Sequence, residues 1–184
     1  MFFMSAVNVL KEIESQSQRQ FMPIVGPVKG KLLEKLVKKY QPKMILEIGT
    51  LVGYSAILMA RHLKKGKIIT LEIDAKAADI ARSNIEKAGL ANKIDIIVGN
   101  AKRTIKKLDK KFDFIFIDAA KEEYIIYLRL LEGEMKKGCV IVADNAKVFA
   151  EFMKDYLDYV RHSGKYKSRF YDFGFDGMEA SIKK

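Results

Sequence analysis

The strongest constraint on the fold is a regular alternation of short apolar segments with amphipathic ones after Pro42. Apolar runs of this kind suit strands that are buried on both faces, and a helix between two such strands suits a parallel crossover. We therefore predict an α/β fold with a doubly wound, mostly parallel sheet. The predicted strands are 44–48, 67–73, 94–98, 112–117 and 140–143, and the predicted helices between them are 54–63, 75–88, 101–108 and 122–135.

The C-terminal part is predicted to add antiparallel strands to the otherwise parallel sheet. A long helix is expected at 147–162, followed by two strands at 167–173 and 178–183 around a turn of glycine and aspartate. Because no helix separates these strands, they are expected to pair as an antiparallel hairpin at the sheet edge. Two helices, at 2–17 and 29–40, precede the first strand. The whole chain, 1–184, is then one domain with a seven-stranded, Rossmann-like sheet, in which 1–20 forms a short N-terminal helix.

The composition limits the cellular locations and the binding partners that we expect for this protein. The sequence has no apolar run long enough to span a bilayer, so no membrane partner is expected, and its N-terminus lacks the basic region of a signal peptide. Cys139 is the single cysteine, so an intramolecular disulfide is excluded and a cytoplasmic location is expected. The formal net charge of +11 fits either an anionic partner such as RNA or a lysine-rich solvated surface.

The loop after the first predicted strand carries a glycine at each end. Strand 44–48 runs into Gly49 and Gly53, and Tyr54 and Ser55 then begin the next predicted helix. Glycines allow a tight turn and let the backbone lie close to a ligand, and a helix N-terminus favours an anionic group. Ligands of such sheets bind beyond the carboxyl ends of the strands, so this loop is the first candidate binding site.

Two acidic residues indicate which ligand the loop would take. A dinucleotide-binding loop has the pattern G-x-G-x-x-G, whereas this loop is G-x-x-x-G with the bulky Leu51 and Val52 inside it, which disfavours NAD. Glu47, just before the first glycine, suits a ligand with an ammonium group, which NAD lacks. Glu72, at the end of the second strand, is placed to accept hydrogen bonds from ribose hydroxyls. Together they describe a nucleoside with an amino-acid tail.

Oxygen-bearing side chains follow two further strands. Asp118 and Lys121 follow strand 112–117, and Asp144 and Asn145 follow the next. Because these strand ends are expected to be neighbours, the side chains should converge over one crevice. Two carboxylates and an amide oxygen suit Mg²⁺ rather than a thiolate-seeking metal. Each aspartate also precedes a predicted helix, so a capping role is the alternative.

These motifs resemble the class I S-adenosylmethionine (SAM)-dependent methyltransferases, and more specifically the cation-dependent O-methyltransferases that include catechol and caffeoyl-CoA O-methyltransferases. The resemblance covers residues 20–184 and is carried by VGPVKG, LEIGTLVGYSA, LEID, FIDAAKEEYIIY, ADN and DGMEASIK. It implies an enzyme that moves the methyl group of SAM to the hydroxyl of a small catechol-like or phenolic acceptor, with Mg²⁺ or another divalent cation as cofactor.

The resemblance also implies roles for individual residues. Lys121 matches the general base and, with Asp118, the catalytic residues. Asp118, Asp144 and Asn145 match the metal ligands. The SAM contacts carried over are Val25, Gly26, Glu47, Gly49, Gly53, Tyr54, Ser55, Glu72, Ile73, Asn100, Ala101 and Asp118.

Some features leave the acceptor open. Phe170 stands where catechol-type enzymes carry an acidic residue, and the segment 118–121 reads D-A-A-K where many bacterial relatives have D-A-D-K. A hydroxylated uridine in tRNA is an alternative acceptor, since the basic and aromatic segment 165–171 suits RNA by charge and stacking. A non-catalytic SAM-binding protein is a second alternative. A homodimer is expected, because the resemblance implies one and because the apolar N-terminal helix would otherwise be exposed.

Overall fold

The computed structural model describes residues 4–184 and contains a single mixed sheet with helices on both faces. In chain order the elements are α1 (Ala6–Arg19), α2 (Gly26–Tyr40), β1 (Met44–Ile48), α3 (Tyr54–Ala60), β2 (Lys67–Glu72), α4 (Ala75–Lys87), β3 (Ile94–Val98), α5 (Ala101–Ile105), β4 (Phe112–Ile117), α6 (Tyr124–Leu131), β5 (Met135–Ala143), α7 (Lys154–His162), β6 (Tyr166–Asp172) and β7 (Gly177–Lys183).

The strand order confirms the predicted doubly wound sheet. The order is β3-β2-β1-β4-β5-β7-β6, with parallel pairing from β3 through β5 and antiparallel pairing of β7 with both β5 and β6. The order reverses between β1 and β4, where Ile48 lies opposite Ile117. That reversal places the carboxyl ends of the central strands around one crevice.

The two faces of the sheet bury separate apolar layers. Ile45 packs with the helices α1 to α4, whereas its neighbour Leu46 packs with α5 to α7. Both side chains are fully buried, as are Phe114 and Ile115 in the adjacent strand. Because successive strand residues point to opposite faces, an unbroken apolar strand requires cover on both sides. This explains why the apolar runs predicted the architecture.

The N-terminal helix is covered by its own chain. Val9, Leu10 and Ile13 of α1 are buried, and α1 lies against α3 and α4. Met4 N also donates a hydrogen bond to the carbonyl of Lys87 at 2.9 Å. The argument that this helix would be exposed without a dimer partner is therefore wrong, and the homodimer stays a prediction without that support. The first residues of the helix predicted at 2–17 lie outside the described range.

The helix predicted at 147–162 is shorter than expected, because its first half is a series of turns and α7 begins at Lys154. The turn that joins β6 to β7 forms hydrogen bonds with the start of this first half. Ala146 N donates to the carbonyl of Gly177 at 2.8 Å, and Val148 N donates to Asp176 Oδ1 at 3.2 Å. Within the stretch, bonds to the fourth preceding residue, such as Phe149 N to the carbonyl of Asn145, mix with bonds to the third, such as Ala150 N to the carbonyl of Lys147, so it forms turns and not a regular α-helix.

The helix predicted at 122–135 also differs. A short 3-10 turn precedes α6, which ends at Leu131, and β5 begins at Met135 rather than at Val140. Met135 pairs with Phe112, and the register then shifts so that Val140 pairs with Phe114. Gly138, with φ +81°, lies in this irregular stretch of β5 and does not end a helix.

None of the helices between residues 4 and 184 is long and apolar enough to cross a bilayer.

Candidate active site

A cavity of about 650 Å³ opens at the carboxyl ends of the central strands. Its wall is built from the segment before α2, the β1–α3 loop and the residues that follow β2, β3, β4 and β5. Most of the residues predicted from the sequence lie in this wall: Val25, Gly49, Tyr54, Ser55, Glu72, Ile73, Asn100, Ala101, Asp118, Lys121, Asp144 and Asn145. Gly26, Glu47 and Gly53 do not line it.

Both loop glycines have positive φ, so the protein's own backbone favours glycine at each position, and at Gly49 close packing also requires it. Gly49 has φ +99°, and a Cβ there would lie 2.0 Å from the carbonyl oxygen of Asp118. Gly53 has φ +83° and faces Ala81 of α4, whose Cβ would be 3.4 Å from an added Cβ. The close approach expected between a ligand and the backbone of Gly53 is therefore replaced by contact between a loop and a helix. Gly49 serves the cavity indirectly, because it lets the end of β4 lie against the loop.

Glu72 shapes the cavity where β2 ends. Its Oε2 accepts hydrogen bonds from Thr50 N at 3.1 Å and Leu51 N at 2.7 Å. Its Oε1 accepts from Ile73 N at 2.9 Å and Asp74 N at 3.0 Å. Four backbone donors thus hold the carboxylate in one orientation. A carboxylate has about four acceptor sites, so a ligand hydroxyl that bonds to Glu72 shares a site with one of these backbone donors.

Glu47 lies behind the cavity wall and is fully buried. The hydroxyl of Thr70 donates to its Oε2 at 2.6 Å, while its Oε1 accepts no hydrogen bond from the described part of the chain. Burial raises the pKa of this carboxyl to about 7, with the nearby hydroxyls of Thr70 and Ser55 opposing the shift and the charges of Asp118 and Glu72 adding to it. A buried carboxyl with one free oxygen is suited to stabilising a positive charge close by.

Tyr54 and Asn100, two further residues of the cavity wall, each lie at the start of a helix. Tyr54 begins α3, and its hydroxyl donates to Glu14 Oε1 of α1 at 2.5 Å, which ties the N-terminal helix to the cavity wall. Asn100 caps α5, since its Oδ1 accepts from Lys102 N at 3.0 Å. The side chains that follow β1 and β3 are therefore fixed before any ligand binds.

Lys121 and Asp118 form an ion pair inside the cavity. Nζ of Lys121 lies 2.8 Å from Asp118 Oδ1 and also donates to the hydroxyl oxygen of Tyr124 at 2.9 Å. Tyr124 is fully buried, and burial together with the charges of Asp118 and Asp144 raises the pKa of its phenol well above the ordinary value. The neutral Tyr124 hydroxyl and Asp118 thus hold the lysine nitrogen at a defined point in the wall.

Asp144 lies next to Asp118 because their strands are paired. Asp144 N donates to the carbonyl of Ile117 at 3.0 Å, and the Asp144 side chain is only 2% exposed. Its pKa is raised by burial and by the charge of Asp118, although Lys29 opposes the shift. Nζ of Lys29 is 2.7 Å from both carboxylate oxygens, but only the contact with Oδ2 has hydrogen-bond geometry.

The donor set fits a hard divalent cation. Asp118, Asp144 and Asn145 supply two carboxylates and an amide to one wall, and Oδ1 of Asp144 is buried without a hydrogen-bond partner among the described residues. Oxygen donors of this kind suit Mg²⁺ or Mn²⁺. Residues 4–184 contain no group of three His, Cys, Asp or Glu side chains arranged to hold a metal, so the amide of Asn145 is needed to complete the set.

Sequence reasoning missed two charged residues of the site. Lys29 and Asp176 form an ion pair at 2.8 Å, although they are distant in the chain. Both lie in motifs that carried the resemblance, VGPVKG and DGMEASIK, but nothing in either motif indicates that they meet. Phe170, whose position raised the question of the acceptor, does not line the cavity, and its ring packs over Gly177.

A doubly wound sheet with an antiparallel last strand, a glycine loop after β1 and an acidic residue at the end of β2 defines a class I SAM-dependent methyltransferase. Comparison with known proteins agrees. The sequence model of the O-methyltransferase family matches residues 4–162. The chain therefore belongs to the O-methyltransferase family and is a SAM-dependent enzyme.

Individual relatives support the same assignment. Catechol O-methyltransferase of Mus musculus is 35% identical over 190 residues, covering 95% of this chain and 71% of that protein. Catechol O-methyltransferase of Niastella koreensis is 45% identical over 126 residues, covering 66% of this chain and 57% of that protein. The structure of the O-methyltransferase of Bacillus cereus in complex with SAH has a TM-score of 0.87 at 30% identity, over 96% of this chain and 91% of that one.

Proposed function

We propose that this enzyme transfers the methyl group of SAM to a hydroxyl of a small catechol-like or phenolic acceptor, in a reaction that requires a divalent cation. The observation that carries the proposal is that Lys121, Asp118, Asp144 and Asn145 meet in the wall of a cavity that also holds Glu72. A proton acceptor, a set of cation ligands and a candidate ribose-binding carboxylate thus share one enclosed space.

The methyl donor is proposed to lie along the ends of β1, β2 and β3. Glu72 accepts hydrogen bonds from the ribose hydroxyls, and the segment at Asn100 and Ala101 borders the adenine. The amino-acid tail lies near Ser55 and Asp118, with the buried charge of Glu47 behind them. Relatives with this fold include a structure in complex with SAH, which supports this placement.

The cation is proposed to be held by Asp118, Asp144 and Asn145. A divalent cation held there would lower the pKa of the acceptor hydroxyl and make its oxygen a better nucleophile. The chain's own residues are proposed to accept the proton and to align the two reactants. Lys121 accepts the hydroxyl proton at Nζ, which Asp118 and Tyr124 hold in place. The new O–CH₃ bond forms as the S–CH₃ bond breaks and SAH leaves, and the walls hold the two reactants in line.

The acceptor is proposed to be a small aromatic molecule. The cavity is lined in part by Phe21, Ile24 and Phe149, which offer apolar surface to a ring. The cations in the described wall are Lys29 and Lys121, and each is paired with an aspartate. The basic and aromatic segment 165–171 does not line the cavity. The wall therefore favours a phenolic acceptor over tRNA.

An acceptor panel tests this assignment. Purified protein with labelled SAM and Mg²⁺ is offered 1,2-dihydroxybenzene, phenol, and a tRNA that carries hydroxyuridine. We expect label in the dihydroxybenzene product and none in tRNA. Label in tRNA alone would replace the proposal with the RNA alternative, and SAM binding without transfer to any acceptor would favour a non-catalytic role. Sedimentation of the same preparation tests the expected homodimer.

A further inference from the structure

The amide of Asn145 is held from behind by a carboxylate that does not itself line the cavity. Nδ2 of Asn145 donates a hydrogen bond to Oδ2 of Asp176 at 2.7 Å. An ionised carboxylate can only accept hydrogen bonds, so it determines that the NH₂ group of the amide faces it. Nδ2 of Asn145 therefore faces Asp176, and Oδ1 of Asn145 points away from it.

Asp176 is itself held firmly. Lys29 Nζ donates to its Oδ2 at 2.8 Å, Val148 N donates to its Oδ1 at 3.2 Å, and the residue is only 8% exposed. The same ammonium of Lys29 contacts Asp144, so one lysine joins the two carboxylates on either side of Asn145.

Asn145 depends on this support for its geometry. Its backbone has φ +63°, a left-handed conformation that asparagine tolerates but does not prefer. Ala146 N is bonded to the carbonyl of Gly177, beside Asp176, which holds the backbone at this point. An amide without a directing partner could turn its NH₂ group towards a cation, and an NH₂ group cannot act as a ligand.

We infer that Asp176 is a positioning residue of the cation site, which orients the amide of Asn145 so that its oxygen is available as a ligand. The inference rests on the proposed function, because it requires a cation to bind at Asp118, Asp144 and Asn145. Residues behind metal ligands commonly change metal affinity by about 10- to 100-fold when they are replaced. The expected loss on removing this contact is about tenfold in cation affinity.

The test is a Mn²⁺ titration of the full chain saturated with SAM, with free Mn²⁺ quantified by electron paramagnetic resonance. The variants are Asp176→Asn, Asn145→Ala and the double substitution. Asp172→Asn is the matched control, because it removes a charge from the same hairpin at a residue outside the cavity wall. Asp176→Glu keeps the charge but moves the carboxylate, and it also serves if Asp176→Asn does not fold.

The expected result is weaker Mn²⁺ binding for Asp176→Asn and Asp176→Glu, native affinity for Asp172→Asn, and no further loss when Asp176→Asn is added to Asn145→Ala. That non-additivity separates orientation of the amide from a simple loss of charge. Native affinity in Asp176→Asn, or a full additional loss in the double variant, would overturn the inference and leave the proposed function standing. Absence of Mn²⁺ binding by the native chain would overturn both.

Discussion

Nζ of Lys121 lies 2.8 Å from Oδ1 of Asp118, so the proposed proton acceptor and a proposed cation ligand are in direct contact. Lys121→Met removes the nitrogen and keeps much of the side chain's bulk. We predict a fall in kcat of about 10²- to 10⁴-fold, the usual contribution of a general base, with SAM affinity unchanged. Single-turnover methyl transfer and calorimetry measure the two quantities. Lys107→Met, at an exposed lysine, is the control, and native turnover in Lys121→Met would rule out the assigned role.

The buried carboxyl of Glu47 predicts a particular dependence of stability on pH. Its pKa is about 7 in the folded chain against an ordinary value of 4.5, so the folded state holds a proton that the unfolded state has released between these values. The native chain should therefore lose stability as pH rises through this window and stay lower above pH 7. Glu47→Gln removes this dependence. From pH 5 to pH 8 the native chain should lose about 2 to 3 kcal/mol relative to the variant.

Urea unfolding of both proteins at the two pH values measures this difference. Other groups titrate in both proteins alike, so the comparison isolates Glu47. Parallel pH profiles for the native chain and Glu47→Gln would show that the carboxyl is not buried as described. At pH 8, where the native carboxyl is ionised, the same variant should bind SAM more weakly, because it lacks the negative charge behind the proposed position of the amino-acid tail.

Gly49 is predicted to be intolerant of any side chain. In Gly49→Ala the new Cβ would meet the carbonyl oxygen of Asp118 at 2.0 Å, so the backbone of the loop or of β4 must move. Together with the strain of positive φ, the expected loss in stability is about 3 kcal/mol or more. Gly138→Ala is the matched control, because Gly138 also has positive φ but has nothing within 4 Å of an added Cβ, and it should cost about 1 to 2 kcal/mol. Equal losses in the two variants would contradict the close contact.

Phe149 is predicted to contribute to acceptor binding. It lines the cavity and packs edge to face with Phe152 at a centroid distance of 6.1 Å. Phe149→Ala should raise KM for an aromatic acceptor by about two- to tenfold, since aromatic pairs contribute about 0.5–1.5 kcal/mol, and should leave kcat nearly unchanged. Phe175→Ala, at an exposed phenylalanine outside the cavity wall, should leave both constants unchanged. A native KM in Phe149→Ala would exclude this part of the wall from the acceptor site.

The parts of the fold that follow from local sequence were predictable. Strands such as β1 and β4 are apolar on both faces, and α4 begins at Ala75 as predicted. The parts that depend on distant contacts were not. The stretch that opens the predicted helix at 147–162 forms turns that are anchored to Asp176 and Gly177 in a distant turn, and no local sequence pattern indicates those contacts.

The same distinction applies to the site. Residues at strand ends, such as Glu72 and Asp118, were identifiable because parallel strands bring their carboxyl ends together. Lys29 was not, since it lies in a helix and reaches the site only through tertiary packing. Glu47 was identified as a charged residue of the site, but its full burial behind the wall depends on Thr70 and Ser55 in other elements.

The central claim is a cation-dependent methyl transfer in the cavity beside Asp118. The most direct measurement is transfer of labelled methyl from SAM to 1,2-dihydroxybenzene, with Mg²⁺ and with EDTA, by the native chain and by Asp118→Ala. The account predicts turnover by the native chain with Mg²⁺, its loss in EDTA, its return when Mg²⁺ is restored, and little turnover by the variant. Equal turnover in Mg²⁺ and EDTA, or native turnover by Asp118→Ala, would contradict it.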